Sequence, residues 1–293
     1  MMLSSQIASS VVDANRVALV TGANKGIGFF LALNLAYSGL FREVILGCRD
    51  ASRGKAAAQQ IEQRLKSTTT ISMGGPQSVT RVTYLPLEVG NQASHAQLRK
   101  MLEERFGKLD VLVNNAAIAF KGSDPTPFHE QTKPTLDVNF RGTVDLTEEL
   151  LPLLRKGHDA RIVNVASRSG YLSQIRPDLQ KQFADPNLTI HNLQVLVDKF
   201  EQDVKAGTLK QNGWGSSNYG LSKLALIAAT KVWARRESAV KVNCFCPGYC
   251  KTDMTSNKGI KPPDEGAQTG ILLATMTHCP TGEFYHDMHP SEW

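Results

Sequence analysis

Two periods of hydrophobicity take turns along the chain. Arg16 to Thr21, Glu43 to Arg49, Val82 to Leu85, Leu109 to Asn114, Arg161 to Val165 and Val240 to Cys246 are short, mainly apolar runs of strand length. Between them apolar residues fall at helical spacing, through Leu35, through Leu65, near Ala96 to Phe106, near Pro134 to Leu154 and from Tyr219 to Arg235. Such alternation predicts an α/β fold, a single doubly wound Rossmann-type parallel sheet with helices on both faces.

Residues 168–215 interrupt this rhythm. They carry helical spacing at Leu193, Leu196, Val197, Phe200 and Val204, with Gly207 beyond its end, and read as an ordered helical insertion before Tyr219. Ser67 to Ser78, rich in Ser, Thr and Gly, predicts a mobile loop, and residues 1–14 a flexible tail. Residues 15–293 are expected to form one domain, because 293 residues with 41% hydrophobic content fit one large α/β unit.

Composition mainly excludes. Basic residues outnumber acidic ones 33 to 27, a net +6, but they are scattered and form no stripe suited to nucleic acid or lipid. The first dozen residues lack a basic, apolar signal pattern, and no later run is apolar for long enough to span a bilayer. Five cysteines without repeating spacing suggest free thiols in a reducing compartment, so a cytoplasmic protein is expected.

The first strand leads into Thr21-Gly-Ala-Asn-Lys-Gly-Ile-Gly28. Gly22, Gly26 and Gly28 let the backbone turn and approach a pyrophosphate seated on the following helix N-terminus, with Asn24, Lys25 and Ile27 alongside. The second strand ends in Cys48-Arg49-Asp50. A planar guanidinium there suits a 2′-phosphate, with Lys25 as a second positive charge, so NADPH is preferred over NADH. Asp50 reads as the cap of the next helix rather than a ribose ligand.

Tyr219 and Lys223 are four apart, on one face of a helix. A phenol of pKa about 10 must fall by roughly three units to ionise near neutrality, about 4 kcal/mol, and one ammonium at about 4 Å supplies about that much at an effective dielectric of 20. The glycine loop, Asn114-Asn115-Ala116, Asn139, Ser167 and Tyr219-x-x-x-Lys223, in that order, resemble the short-chain dehydrogenase/reductase family. Within it, Ala119 to His129, Cys246 to Met254 and Glu265 to Thr269 resemble the monomeric NADPH-dependent carbonyl reductases.

The resemblance implies reduction of ketones, aldehydes or quinones by hydride transfer. Tyr219 would be the general acid, Ser167 would polarise the carbonyl, Lys223 would hold the nicotinamide ribose and lower the Tyr219 pKa, and Asn139 would anchor a water. Asn115 and Ala116 would line the adenosine ribose side, and Pro247, Gly248 and Thr252 the nicotinamide end, with Val138 a weaker contact. Glu88 stands where the family commonly has Asp against adenine, Ala117 where Gly is usual, and Ala166 for the first Ser of a pair. Ser167 lies 52 positions before Tyr219, and the inserted helices of similar relatives cover a face used elsewhere for subunit pairing, implying a monomer.

Other features carry less. Cys244, Cys246 and Cys250 lack paired C-x-x-C halves, so no metal site is expected. His278, Cys279, His286 and His289 read as a surface loop over the substrate cleft, and Tyr249 and Trp214 as substrate contacts. Cys246 reads equally as a thiol beside the active site or a small core residue. The alternatives are a dedicated steroid, prostaglandin or terpenoid oxidoreductase, and a non-catalytic NADPH-binding protein.

Overall fold

The computed structural model describes residues 15–69 and 80–293. The expected N-terminal tail lies outside them, as does the expected loop from residue 70 on; Ser67 to Thr69 instead extend a helix. Strands β1 (Val17–Thr21), β2 (Glu43–Cys48), β3 (Arg81–Pro86), β4 (Val111–Asn114), β5 (Ala160–Val165) and β6 (Val240–Cys246) follow the apolar runs. With β7 (Phe284–His286) and β8 (His289–Pro290) they form one sheet in the order β3-β2-β1-β4-β5-β6-β7-β8. Pairing is parallel as far as β7, and β8 returns antiparallel.

Every residue of β1, β2, β4 and β5 is buried, because helices cover both faces. Helices α1 (Gly26–Tyr37) and α2 (Ala51–Thr69), with α9 (Pro263–Thr275), pack one face. Helices α3 (Gln92–Phe106), α5 (Gly142–Leu154) and α8 (Asn218–Arg236) pack the other. Strand order reverses between β1 and β4, which opens a crevice at the C-terminal strand ends.

The helix expected from Pro134 to Leu154 is three pieces. It begins earlier, as α4 (Phe128–Leu136), passes through a π turn at Asp137–Arg141 and continues as α5. The Gly142 N–H reaches back five residues to the Asp137 carbonyl, a widened turn of the kind often kept where function needs it.

The insertion is helical, with α6 (Pro177–Phe183) and α7 (Ile190–Ala206). Leu193, Val197, Phe200 and Val204 are buried on one side of α7, and Thr189 caps its start. The π turn holds this helix through Arg141, whose guanidinium bonds Asp137 at 2.8 Å, Asp198 at 2.6 Å and Glu201 at 2.7 Å.

The C-terminal region departs from the expected surface loop. His286 and His289 belong to β7 and β8 and pair with each other in the sheet. The reason is Phe284 and Tyr285, both buried, which attach β7 to β6. Trp293 packs beyond this edge, with its Nε1 donating to the Gly170 carbonyl at 2.9 Å and Lys231 over its ring at 5.8 Å.

Candidate functional site

A cleft of about 680 Å³ opens along the C-terminal ends of β1, β2, β4, β5 and β6. Its floor is the glycine loop between β1 and α1. Thr21 Oγ1 accepts the Asn115 and Ala116 N–H groups at 3.0 and 2.9 Å, and the Asn115 amide donates back to the Thr21 carbonyl at 2.8 Å. A Cβ at Gly28 would come within 2.4 Å of Asn115 Nδ2, so only glycine lets α1 start this close to β4. Asn115 is thus spent on bracing the loop.

Gly22, Asn24, Lys25, Gly26, Ile27, Gly28, Arg49, Glu88, Asn115, Ala116, Val138, Pro247 and Thr252 all line this cleft, together with Tyr219 and Lys223. Gly248 is outside the lining, its Cα facing the Lys261 side chain. Arg49 stands exposed at the end of β2 with no ion-pair partner among the described residues. Asp50 caps α2 by accepting the Arg53 N–H at 3.0 Å. Lys25 is already engaged, with its Nζ 2.6 Å from Asp253 Oδ2 across the cleft mouth.

At the far end of the cleft Ser217 caps α8, and the helix presents Tyr219 and Lys223 one turn apart. Ser167 follows β5, with its hydroxyl accepting the Ser169 N–H at 3.1 Å and its side chain near enough to the Tyr219 phenol to influence its ionisation. Gly170 permits this approach, since a Cβ there would lie 2.7 Å from the Lys223 carbonyl carbon and the Leu224 nitrogen. Lys223 is buried, with Nζ donating to the Val165 carbonyl at 2.7 Å and lying 5.6 Å from the Tyr219 ring centre.

Asn139 sits in the π turn and is buried. Its side chain accepts the Ile118 N–H and donates to the Ile118 carbonyl, each at 2.8 Å, and donates to Ser222 at 3.1 Å. The amide is thus spent on bracing the Ile118 backbone against Ser222.

Burial sets the protonation of the pair. It pushes the Tyr219 phenol up to about 12, with the neighbouring Cys246 adding to the rise and Ser167 opposing it. Burial also pushes Lys223 down to about 8, partly offset by Cys246. Desolvation is the largest influence on the phenol, and Lys223 is not among the groups that oppose it.

Trp214 is placed away from the cleft. Its indole packs edge-on against Phe183 and Phe200 at 6.2 and 5.5 Å and donates to Asp203 at 2.7 Å, forming the core of the insertion. Tyr249 is 52% exposed and outside the cleft lining, and Cys246 is buried beneath the turn that follows β6. Leu87, Val89 and Gly90 at one end, and Lys121, Lys251, Asp253 and Met254 at the mouth, also line the cleft and escaped sequence reasoning. The 250s segment was legible only as a motif match through Met254, because its lining residues sit on turns without periodicity. Among the described residues no group of His, Cys, Asp and Glu is arranged to hold a metal ion, and no helix is long and apolar enough to cross a membrane.

The profile of the short chain dehydrogenase family matches residues 16–176 and 204–262, leaving out most of α7 and the segment before it. Carbonyl reductase [NADPH] 1 of Rattus norvegicus is 38% identical over 288 residues, covering 94% of this chain and 98% of that protein. The Homo sapiens protein of the same name is 38% identical over 290 residues, with the same coverage. Among solved structures, salutaridine reductase from Papaver somniferum superposes with a TM-score of 0.80 at 30% identity, covering 92% of this chain and 99% of that one. Menthone neomenthol reductase from Mentha piperita gives 0.77 at 28% identity, covering 94% and 99%.

Proposed function

Because the chain belongs to the short-chain dehydrogenase family, we propose that its cleft performs NADPH-dependent reduction of ketones, aldehydes or quinones to alcohols. The carrying observation is a phenol that burial keeps protonated, with Ser167 nearby and Lys223 one helical turn on, at the end of a dinucleotide-sized cleft. A protonated phenol is what an acid for carbonyl reduction requires.

The residues fit the cofactor. The glycine loop offers a floor that a Cβ at Gly28 would close, and Arg49 stands unpaired among the described residues, where a 2′-phosphate would lie. NADPH, when bound, supplies the hydride. Tyr219 gives its proton to the substrate oxygen, and the Ser167 hydroxyl polarises the same oxygen. Lys223, whose Nζ donates to the Val165 carbonyl, would orient the nicotinamide ribose, and Asn139 would anchor the water that returns a proton.

Tyr219→Phe removes the acid and leaves the ring packing. Steady-state NADPH oxidation with a quinone or dione should fall at least about a hundredfold, the scale of general acid catalysis. An unchanged rate would discard the mechanism.

A second reading is a reductase dedicated to one bulky ketone, such as a terpenoid. It is favoured by the two solved relatives, each named for a particular substrate. A kcat/KM concentrated on one bulky ketone, rather than spread over small and large carbonyls, would select it. For a cytoplasmic monomer, the support is five free cysteines and an insertion whose α7 packs over α4 and α8.

A further inference from the structure

We propose that Asp253 is a specificity-determining counter-ion: its carboxylate holds Lys25 until a cofactor 2′-phosphate displaces it. The inference rests on the NADPH reading above. Lys25 lies in the glycine loop and Asp253 on the segment after β6, 228 residues away, and both line the cleft. The two lips meet again beside this pair, where a Cβ on Gly26, next after Lys25, would contact Thr252, next before Asp253, at 3.5 Å. The ion pair therefore closes over the track of the cofactor.

The placement of Asp253 is built into its turn. Thr255 Oγ1 donates to the Cys250 carbonyl at 2.7 Å and accepts the Thr252 N–H at 3.1 Å, and the Asn257 N–H returns to the Thr252 carbonyl at 2.8 Å. Asp253 also feels the fields of Lys121 and Arg53, the latter in the first turn of α2, four residues from Arg49. Asp253 thus faces cations at the place where a polyanion has to lie, while Asp50 holds Arg53 at 3.4 Å.

Lys25 and Asp253 side chains are 57% and 66% exposed, so water screens the pair and it exchanges readily. A phosphate monoester, with close to two negative charges and three acceptor oxygens, competes for Lys25 on better terms than a carboxylate. The 2′-hydroxyl of NADH does not compete. Asp253 therefore loosens NADPH and NADP relative to a cleft with a free Lys25, and tempers the discrimination against NADH.

Equilibrium titration of the full chain with each dinucleotide tests this. Asp253→Asn should bind NADPH about two- to fivefold more tightly, the span of an exposed ion pair, with NADH affinity unchanged. In a Lys25→Ala background the gain should vanish. Unchanged or weaker NADPH binding, equal tightening of both dinucleotides, or a gain that persists without Lys25 overturns the proposal. Arg49→Ala separates the two levels. If it weakens NADPH and NADH equally, the 2′-phosphate reading fails; if its loss is confined to NADPH and Asp253→Asn is silent, only the counter-ion fails.

Discussion

Burial drives Tyr219 and Lys223 in opposite directions on the pH scale, and the separation can be measured. Lys223 carries its charge below about pH 8 and loses it above, while Tyr219 stays protonated to about 12. If the ammonium positions the nicotinamide ribose, kcat/KM for NADPH falls as pH rises through about 8, with no second loss from the phenol until far more alkaline conditions. A profile flat from neutrality to pH 10 would remove Lys223 from that role. At this scale the order of Ser167, Tyr219 and Lys223 was legible, because spacing on a helix and family motif order survive in one dimension. Their protonation was not, since it depends on depth beneath neighbouring strands. For the same reason Trp214, read as a substrate contact, belongs to the core between Phe183 and Phe200.

Among elements, the Arg141 clamp makes the sharpest claim. Arg141 joins the π turn to α7 through Asp198 and Glu201, and Lys205 adds a second bond to Glu201. Arg141→Met should cost about 1–3 kcal/mol in denaturant unfolding, by leaving a largely buried carboxylate short of partners. Burial raises the Glu201 pKa, but Lys205 and Arg141 outweigh it, so the folded value lies below the ordinary 4.5. Its contribution is therefore complete above pH 4.5 and lost as pH falls through the folded value. Arg141→Met should flatten that acid limb of the stability curve, and an identical limb in both proteins would refute the linkage. The first six strands and most helices were readable because buried parallel strands are continuous apolar runs. α9 and β7 were missed, although Pro263 at the first helical turn with Asp264 and Glu265 behind it marks a helix start. β7 is three residues long, too short for any period to show.

For the whole molecule, the proposed monomer rests on the insertion. With α7 laid over α4 and α8, light scattering should return one 32.1 kDa chain. A dimer mass would show that another face is used. Because NADPH binds the folded state, it should raise the melting temperature more than NADH at equal concentration, by an amount growing with the logarithm of concentration; equal shifts would contradict the cofactor preference. The chain also carries three tryptophans in separate layers. Trp214 sits inside the insertion, Trp233 is fully buried with Nε1 on Glu148, and Trp293 leans on Gly170, which itself abuts Lys223. The protein is thereby fitted with its own optical gauges. Emission from single-tryptophan variants would separate loosening of the insertion from movement behind the reacting centre, without any attached dye.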